Sequence, residues 1–254
     1  MNLSRALPLV LAFTASAAWA GPPAGTFVFN MKNAKANGTI TLSVSGANVR
    51  SEMDMNAQGM GPMKMTMLVK GADAKKGFLL NAAQKTYAEV DVGKRGAGAS
   101  DKYTAKKLGN ETVGKWKTTH VELTNDKGEK SEMWTTTEID IGRNLFELLG
   151  ARGPGDDGMM KALDAVGAKG FPVKMVASGR EAVTLELMKY DAGAPAAALF
   201  EIPTDWTKRD AGGVMAGALP PEAQKKLEEA MKNMTPEQRA QMEKAMKAQA
   251  AQQH

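Results

Sequence analysis

The sequence predicts a mainly β, α+β fold built on antiparallel strands, and three observations carry that prediction. Apolar and polar residues alternate with period two through most of residues 26–92 and again after residue 102. Turn-forming residues such as Asn37-Gly38 and Asn125-Asp126-Lys127-Gly128 punctuate the alternating runs. Helical spacing is confined to residues 142–167 and to the C-terminal end.

The first twenty residues read as a cleavable secretory signal. Arg5 supplies the positive start, Ala6 to Ala18 the apolar stretch, and Ala18-Trp19-Ala20 a small-x-small cleavage site before Gly21. The apolar stretch is shorter than the ~20 residues a membrane span needs, and no comparable run follows. A soluble protein, secreted through the general pathway and periplasmic, is expected. No cysteine is present, so a lipid anchor, disulfides, thiol catalysis and thiolate metal ligands all fall away. The formal charge of +5 is mild, and the basic residues are scattered among acids with few aromatics, which excludes a nucleic-acid groove. The expected organisation is a signal at 1–20, a main domain at 21–208, a Gly-rich linker at 209–218 and a helical tail at 219–254.

Along the main domain, Asn37-Gly38 is expected to turn a hairpin, after which Ile40, Leu42 and Val44 alternate with Thr39, Thr41, Ser43 and Ser45. In the next run Val49, Met53 and Met55 share one face, while Arg50, Glu52 and Asp54 share the other. A loop at 58–62 containing Met60 leads to Met63, Met65, Met67 and Val69, which again share a face. Strands continue through 77–92, with a turn at 82–85, and residues 94–100 form a Gly-containing break. Further strands cover 102–109, a hairpin through 125–128, and late runs beginning at Phe171 and Glu181. Helical patterns lie at 142–149, with Leu145, Phe146, Leu148 and Leu149, and at 157–167, with Met159, Met160, Leu163 and Val166.

The methionine cluster admits three readings. It is a packed core, an apolar ligand surface made adaptable by flexible thioether chains, or a soft Cu(I) site. Side chains two apart on one strand lie ~6.5–7 Å apart, so three sulfurs converge only if the facing strand contributes. The Cu(I) set would be Met60, Met63, Met65 and Met67.

Other chemistry is sparse. His120 sits in an alternating strand and reads as a hydrogen-bonded strand histidine. Residues 150–158, GARGPGDDG, follow a helix and lack the Lys-Ser/Thr ending of a phosphate loop. Glu52, Asp54, Asp91 and Glu132 are the carboxylates from which a hydrolytic pair would come, and no local pattern joins two of them.

Several segments together resemble a known family. VRSEM (49–53) followed by KMTMLVK (64–70), LLNAAQKTYAEV (79–90), the pair ETVGKWKTTHVEL (111–123) and GEKSEMWTTTEIDI (128–141), and LFEIPTDW (199–206) are similar, in order, to the bacterial domain-of-unknown-function family 4412. That family resembles the periplasmic outer-membrane lipoprotein carrier (Lol) superfamily. The resemblance implies a strongly curved antiparallel sheet, a half-barrel, with helices over its concave face where carriers of this type hold acyl chains. It implies a ligand face of Met53, Met55, Met63, Met65 and Met67, covered by helical residues including Phe146, Leu149 and Met160. Relatives often carry Cys where Thr118 or Thr119 stands here, so a thiol-dependent role does not transfer.

The tail repeats with a fifteen-residue offset: LPPEAQKKLEEAMKN (219–233) and MTPEQRAQMEKAMKA (234–248) match at Pro221/Pro236, Glu222/Glu237 and Met231/Met246. Proline in the first turn and a capping box at Thr235 and Gln238 predict a helical hairpin with narrow methionine stripes. LPPEAQ and MTPEQR are similar to the helix-start repeats of small periplasmic chaperones of the Spy type.

The function expected from the sequence is therefore non-enzymatic binding of a lipid, a lipoprotein acyl chain or a hydrophobic protein segment, with no cofactor and no transmembrane segment. Methionine-based Cu(I) binding is the alternative, and a carboxylate-dependent hydrolase the weaker one.

Overall fold

The structure is a computed structural model that describes residues 24–59, 61–71, 76–91, 102–140, 157–178, 182–225 and 229. The expected signal, Met60, the helix with Leu145, Phe146, Leu148 and Leu149, and most of the repeat tail lie outside these residues.

Period-two alternation has produced the expected strands. Their ranges are β1 (Ala24–Asn33), β2 (Ala36–Ser45), β3 (Asn48–Ala57), β4 (Gly61–Val69), β5 (Lys76–Asn81), β6 (Thr86–Asp91), β7 (Tyr103–Val113), β8 (Trp116–Asn125), β9 (Lys130–Thr136), β10 (Phe171–Ala177), β11 (Val183–Ala192) and β12 (Thr207–Lys208). Among the described residues they form one sheet in the order β12-β6-β5-β4-β3-β2-β1-β11-β10-β9-β8-β7. Every pairing is antiparallel except the parallel β12–β6 contact. The sheet is curved and unclosed, as the half-barrel expectation required.

Curvature is visible in the core. Trp116 on β8 and Tyr190 on β11 bring their ring centroids to 6.4 Å, although strands three positions apart lie ~14 Å apart in a flat sheet. Phe27 stacks on Tyr190 at 4.7 Å and tilts against Phe171 of β10 at 5.0 Å. Around these rings Leu42, Val44, Val49 and Val173 are buried, which closes the principal core.

Among the described residues, two helices and a turn segment lie against the sheet. Helix α1 (Asp157–Ala165) buries Ala162 and Leu163 against Val121, Leu123 and Met133. Helix α2 (Ala211–Gly217) buries Val214 against Leu79 and Ala88. Phe200, in a short 3-10 turn at Ala197–Phe200, packs with Leu68 and Leu80. Leu68 alternates with Met67 along β4, so the turn segment and α2 cover opposite faces of β4–β6.

Two expectations need correction. Asn37 and Gly38 lie inside β2 and do not turn the first hairpin. The turn is made by Asn33, whose Oδ1 accepts from the N–H groups of Lys35 at 2.8 Å and Ala36 at 2.6 Å. Residues 211–217, expected within a Gly-rich linker, are helical because the Asp210 carboxylate caps the Gly213 N–H at 2.8 Å and Val214 anchors the turn in the core.

Candidate functional site

Strand register assembles the methionine cluster. Met53 stands opposite Met65 and Met55 opposite Met63, while Ser51 faces Met67. On the other flank Met53 pairs with Ile40 and Met55 with Gly38, and Gly38 pairs with Met31 of β1. Directly paired residues share a face, so Met31, Ile40, Met53, Met55, Met63, Met65 and Met67 form one continuous surface. Met55 is buried and the other six are half-buried.

Gly38 makes this packing possible. A Cβ there would lie 2.7 Å from Met55 Cα and 2.9 Å from its Sδ, so the Met55 chain lies across the space that a side chain would fill. The opposite face of the same strands carries ion pairs beside the Leu68 contact with Phe200. Arg50 pairs with Glu52 at 2.7 Å and Lys64 with Asp54 at 2.8 Å. The hydrogen bond and charge of Asp54 hold the exposed Lys64 ammonium above the usual lysine range.

Helix α2 borders the methionine surface. Val214 and Ala211 pack in one cluster with Met65, Met67, Leu79, Ala88 and Val90. Met160 is placed elsewhere: on α1 it joins Met159, Val166 and Met175 around Val121 and Met133, towards the β7 end of the sheet. Phe146, Leu149 and Met60 lie outside the described residues. The structure thus places five of the eight residues expected for the apolar face on one surface, and sets three of the four expected for Cu(I), Met63, Met65 and Met67, in line along β4.

His120 is tied into its strand more closely than its sequence context suggested. Its Nε2 lies 2.8 Å from Glu132 and its Nδ1 2.9 Å from Glu111. The imidazole stacks on Trp134 at 4.0 Å, and Trp134 Nε1 donates to Glu111. Lys174 Nζ lies 4.7 Å over the same indole. Because Trp134 pairs with His120 on one side and Lys174 on the other, and Glu111 reaches both rings from β7, the group cross-links β7, β8, β9 and β10. The sequence reading missed Glu111, Trp134 and Lys174, whose proximity depends on register across three strand pairings, β7–β8, β8–β9 and β9–β10.

The four carboxylates considered for hydrolysis are dispersed over β3, β6 and β9. Glu52 and Asp54 are held by cations, and Glu132 by His120. No group of three or more His, Asp or Glu residues among the described residues is placed to hold a metal ion. An open groove of about 500 Å³ lies between β7, β8, β9 and the loop after α1, but Asn110, Lys117, Thr119, Thr135 and Lys169 make it polar. It does not coincide with the methionine surface. No described helix is long and apolar enough to cross a membrane.

Comparison with known proteins gives one family and several distant folds. The profile of the domain of unknown function DUF4412 matches residues 24–206. No curated protein matches the chain. Among solved structures, the chain is similar to an uncharacterised conserved protein from Thermus thermophilus, with 8% identity over 73% of this chain and 90% of that one, at a TM-score of 0.43. It is similar to the Pseudomonas aeruginosa MucA/MucB complex structure, with 10% identity over 72% of this chain and 56% of that one, at 0.39. A LolA superfamily protein from Nitrosomonas europaea shares 12% identity over 71% and 91%, at 0.31. At these scores the likenesses carry no functional argument.

Proposed function

This chain belongs to the DUF4412 family, and from that premise we propose that it is an exported, non-enzymatic binding protein whose methionine surface takes an apolar moiety such as an acyl chain. The observation that carries the proposal is the pairing of Met53 with Met65 and of Met55 with Met63 beside half-buried Ile40, Met31 and Met67. Unbranched thioether chains repack around varied apolar shapes, which suits a surface that must accept flexible ligands. Each methylene removed from water contributes about 0.8 kcal/mol. About ten covered methylenes give ~8 kcal/mol before ordering costs, the micromolar range. The mechanism is sequestration without a chemical step.

The test is titration with a dansyl fatty acid, whose emission rises on leaving water. The wild-type protein gives saturable enhancement reversed by unlabelled oleate. Met53→Asp and Met65→Asp each weaken it about tenfold or more by placing a charge in the contact, whereas Asp54→Asn on the opposite face leaves it unchanged. Equal affinities for all four proteins would contradict the proposal.

The same register supports a second reading, because Cβ atoms of opposed residues lie ~4.5–5.5 Å apart and allow thioethers from β3 and β4 to converge on Cu(I). Replacing Met63, Met65 and Met67 together by Leu separates the two readings. Fatty-acid binding survives that replacement under the first, and Cu(I) binding disappears under the second.

A further inference from the structure

We infer that α2 and the turn after it, residues 211–220, form a displaceable strap over the methionine surface, so that an apolar ligand enters when the strap lifts; this rests on the binding reading above. The course of the strap is defined at three points. It leaves β6 after the Arg209 N–H bonds the Tyr87 carbonyl at 2.8 Å. It passes the β5–β6 turn, where Gly217 lies directly against the Gln84 side chain. It reaches the start of β4, where Pro220 sits over Gly61. The strap therefore crosses the sheet from β6 to β4 and ends two residues from Met63.

Its contacts are the ones a ligand would use. Val214 and Ala211 rest on the cluster that includes Met65 and Met67, so strap and ligand compete for the same side chains. The attachment is slight. Val214 is the one buried side chain of α2; beside it are the Ala211 contact, the Gly217–Gln84 contact and a long 3.4 Å hydrogen bond from Asn81 Nδ2 to the Val214 carbonyl. Three of the seven helical residues are glycine, which weakens the helix once it leaves the sheet. Met215, half exposed on the same helix, offers a second apolar contact to a ligand seated beneath a lifted strap. Beyond Pro220, Gln224 Nε2 bonds the Leu219 carbonyl at 2.6 Å and the Gly217 carbonyl at 3.3 Å, so the end of the strap is a closed turn that moves as a unit.

A reversible lock tests this. A Cβ built on Gly61 lies 3.9 Å from Pro220 Cβ, within the ~3.5–4.5 Å range of disulfide partners, and the chain has no cysteine to compete. Gly61→Cys with Pro220→Cys is oxidised, and its association with the dansyl fatty acid is followed by stopped flow. Because Gly61 has φ of +79° and its replacement is strained, Val214→Asp is measured in parallel as a variant that releases the strap. The oxidised lock should associate about tenfold more slowly than its reduced form, and Val214→Asp about tenfold faster than wild type. Equal rates for oxidised and reduced protein, with Val214→Asp no faster than wild type, would overturn the strap while leaving the binding reading intact. Absence of probe binding in every form, Val214→Asp included, would overturn the binding reading and the strap with it.

Discussion

Gly38 shows at the scale of one residue how the methionine surface is built. Its place in β2 leaves room for the Met55 chain, and a methyl group there would collide with the Asp54 carbonyl oxygen and lie 2.7 Å from Met55 Cα, on backbone that is fixed by pairing on both sides. Gly38→Ala should therefore destabilise the fold by about 1–3 kcal/mol through overpacking. The urea midpoint measures this, and a midpoint unchanged from wild type would contradict the account. The same residue marks a limit of the sequence. Asn37-Gly38 has ideal hairpin chemistry, yet the turn belongs to Asn33, because local propensity does not record that Met55 of the next strand needs the glycine. Side-chain alternation was more informative: it placed Met53, Met55, Met63, Met65 and Met67 on apolar strand faces, as the structure does. His120 was legible as a hydrogen-bonded strand residue, whereas Glu111, Trp134 and Lys174 meet it through pairings that no local pattern records.

Among the described elements, α2 is anchored by a single buried side chain and β12 is a two-residue strand. Three glycines in α2 cost ~3 kcal/mol relative to alanine, and burial of one valine returns ~1.5–3 kcal/mol, so the helix is close to balance. That balance suits a strap. It also explains why 209–218 looked like a linker, since the glycine content is evident in the sequence and the anchoring contact of Val214 with Leu79 and Ala88 is not. Strand β12 is held to β6 by the Thr207 N–H to Lys85 carbonyl bond at 2.9 Å and by two ion pairs, Lys208 with Glu89 at 3.1 Å and Lys85 with Asp205 at 2.8 Å. Hydrogen bonds and charge from Lys208 and Lys76 hold the Glu89 carboxyl below its ordinary range, and the Lys85 hydrogen bond does the same for Asp205. A depressed carboxyl contributes stability above its unfolded value and loses it as pH falls through the folded one. Amide exchange at Thr207, corrected for its intrinsic pH dependence, should therefore lose protection on acidification below the ordinary carboxylate range, and the loss should be smaller at high salt, where the exposed pairs are already screened. Protection independent of pH would show that the ion pairs do not hold the strand.

On the scale of the whole molecule, the fold class was readable because alternation repeats through most of the chain, and the curved open sheet followed from family resemblance. Strand order was not readable. β1 lies between β2 and β11, and the contact of an early strand with a late one leaves no mark in either segment. The open edge at β7 carries Lys106 and Lys107 and a register shift around Leu108, features that discourage another chain from adding a strand there. The proposed apolar binding then belongs to the face of the sheet, where Met53, Met65 and their neighbours lie beside α2.

Native mass spectrometry of the full-length product tests that central claim most directly. The protein is expressed from its whole sequence in a Gram-negative host and purified without detergent or added metal. The account predicts a co-purifying mass of fatty-acid or phospholipid size that is lost in Met65→Asp. A bare polypeptide mass, or a copper-sized increment in its place, would contradict it.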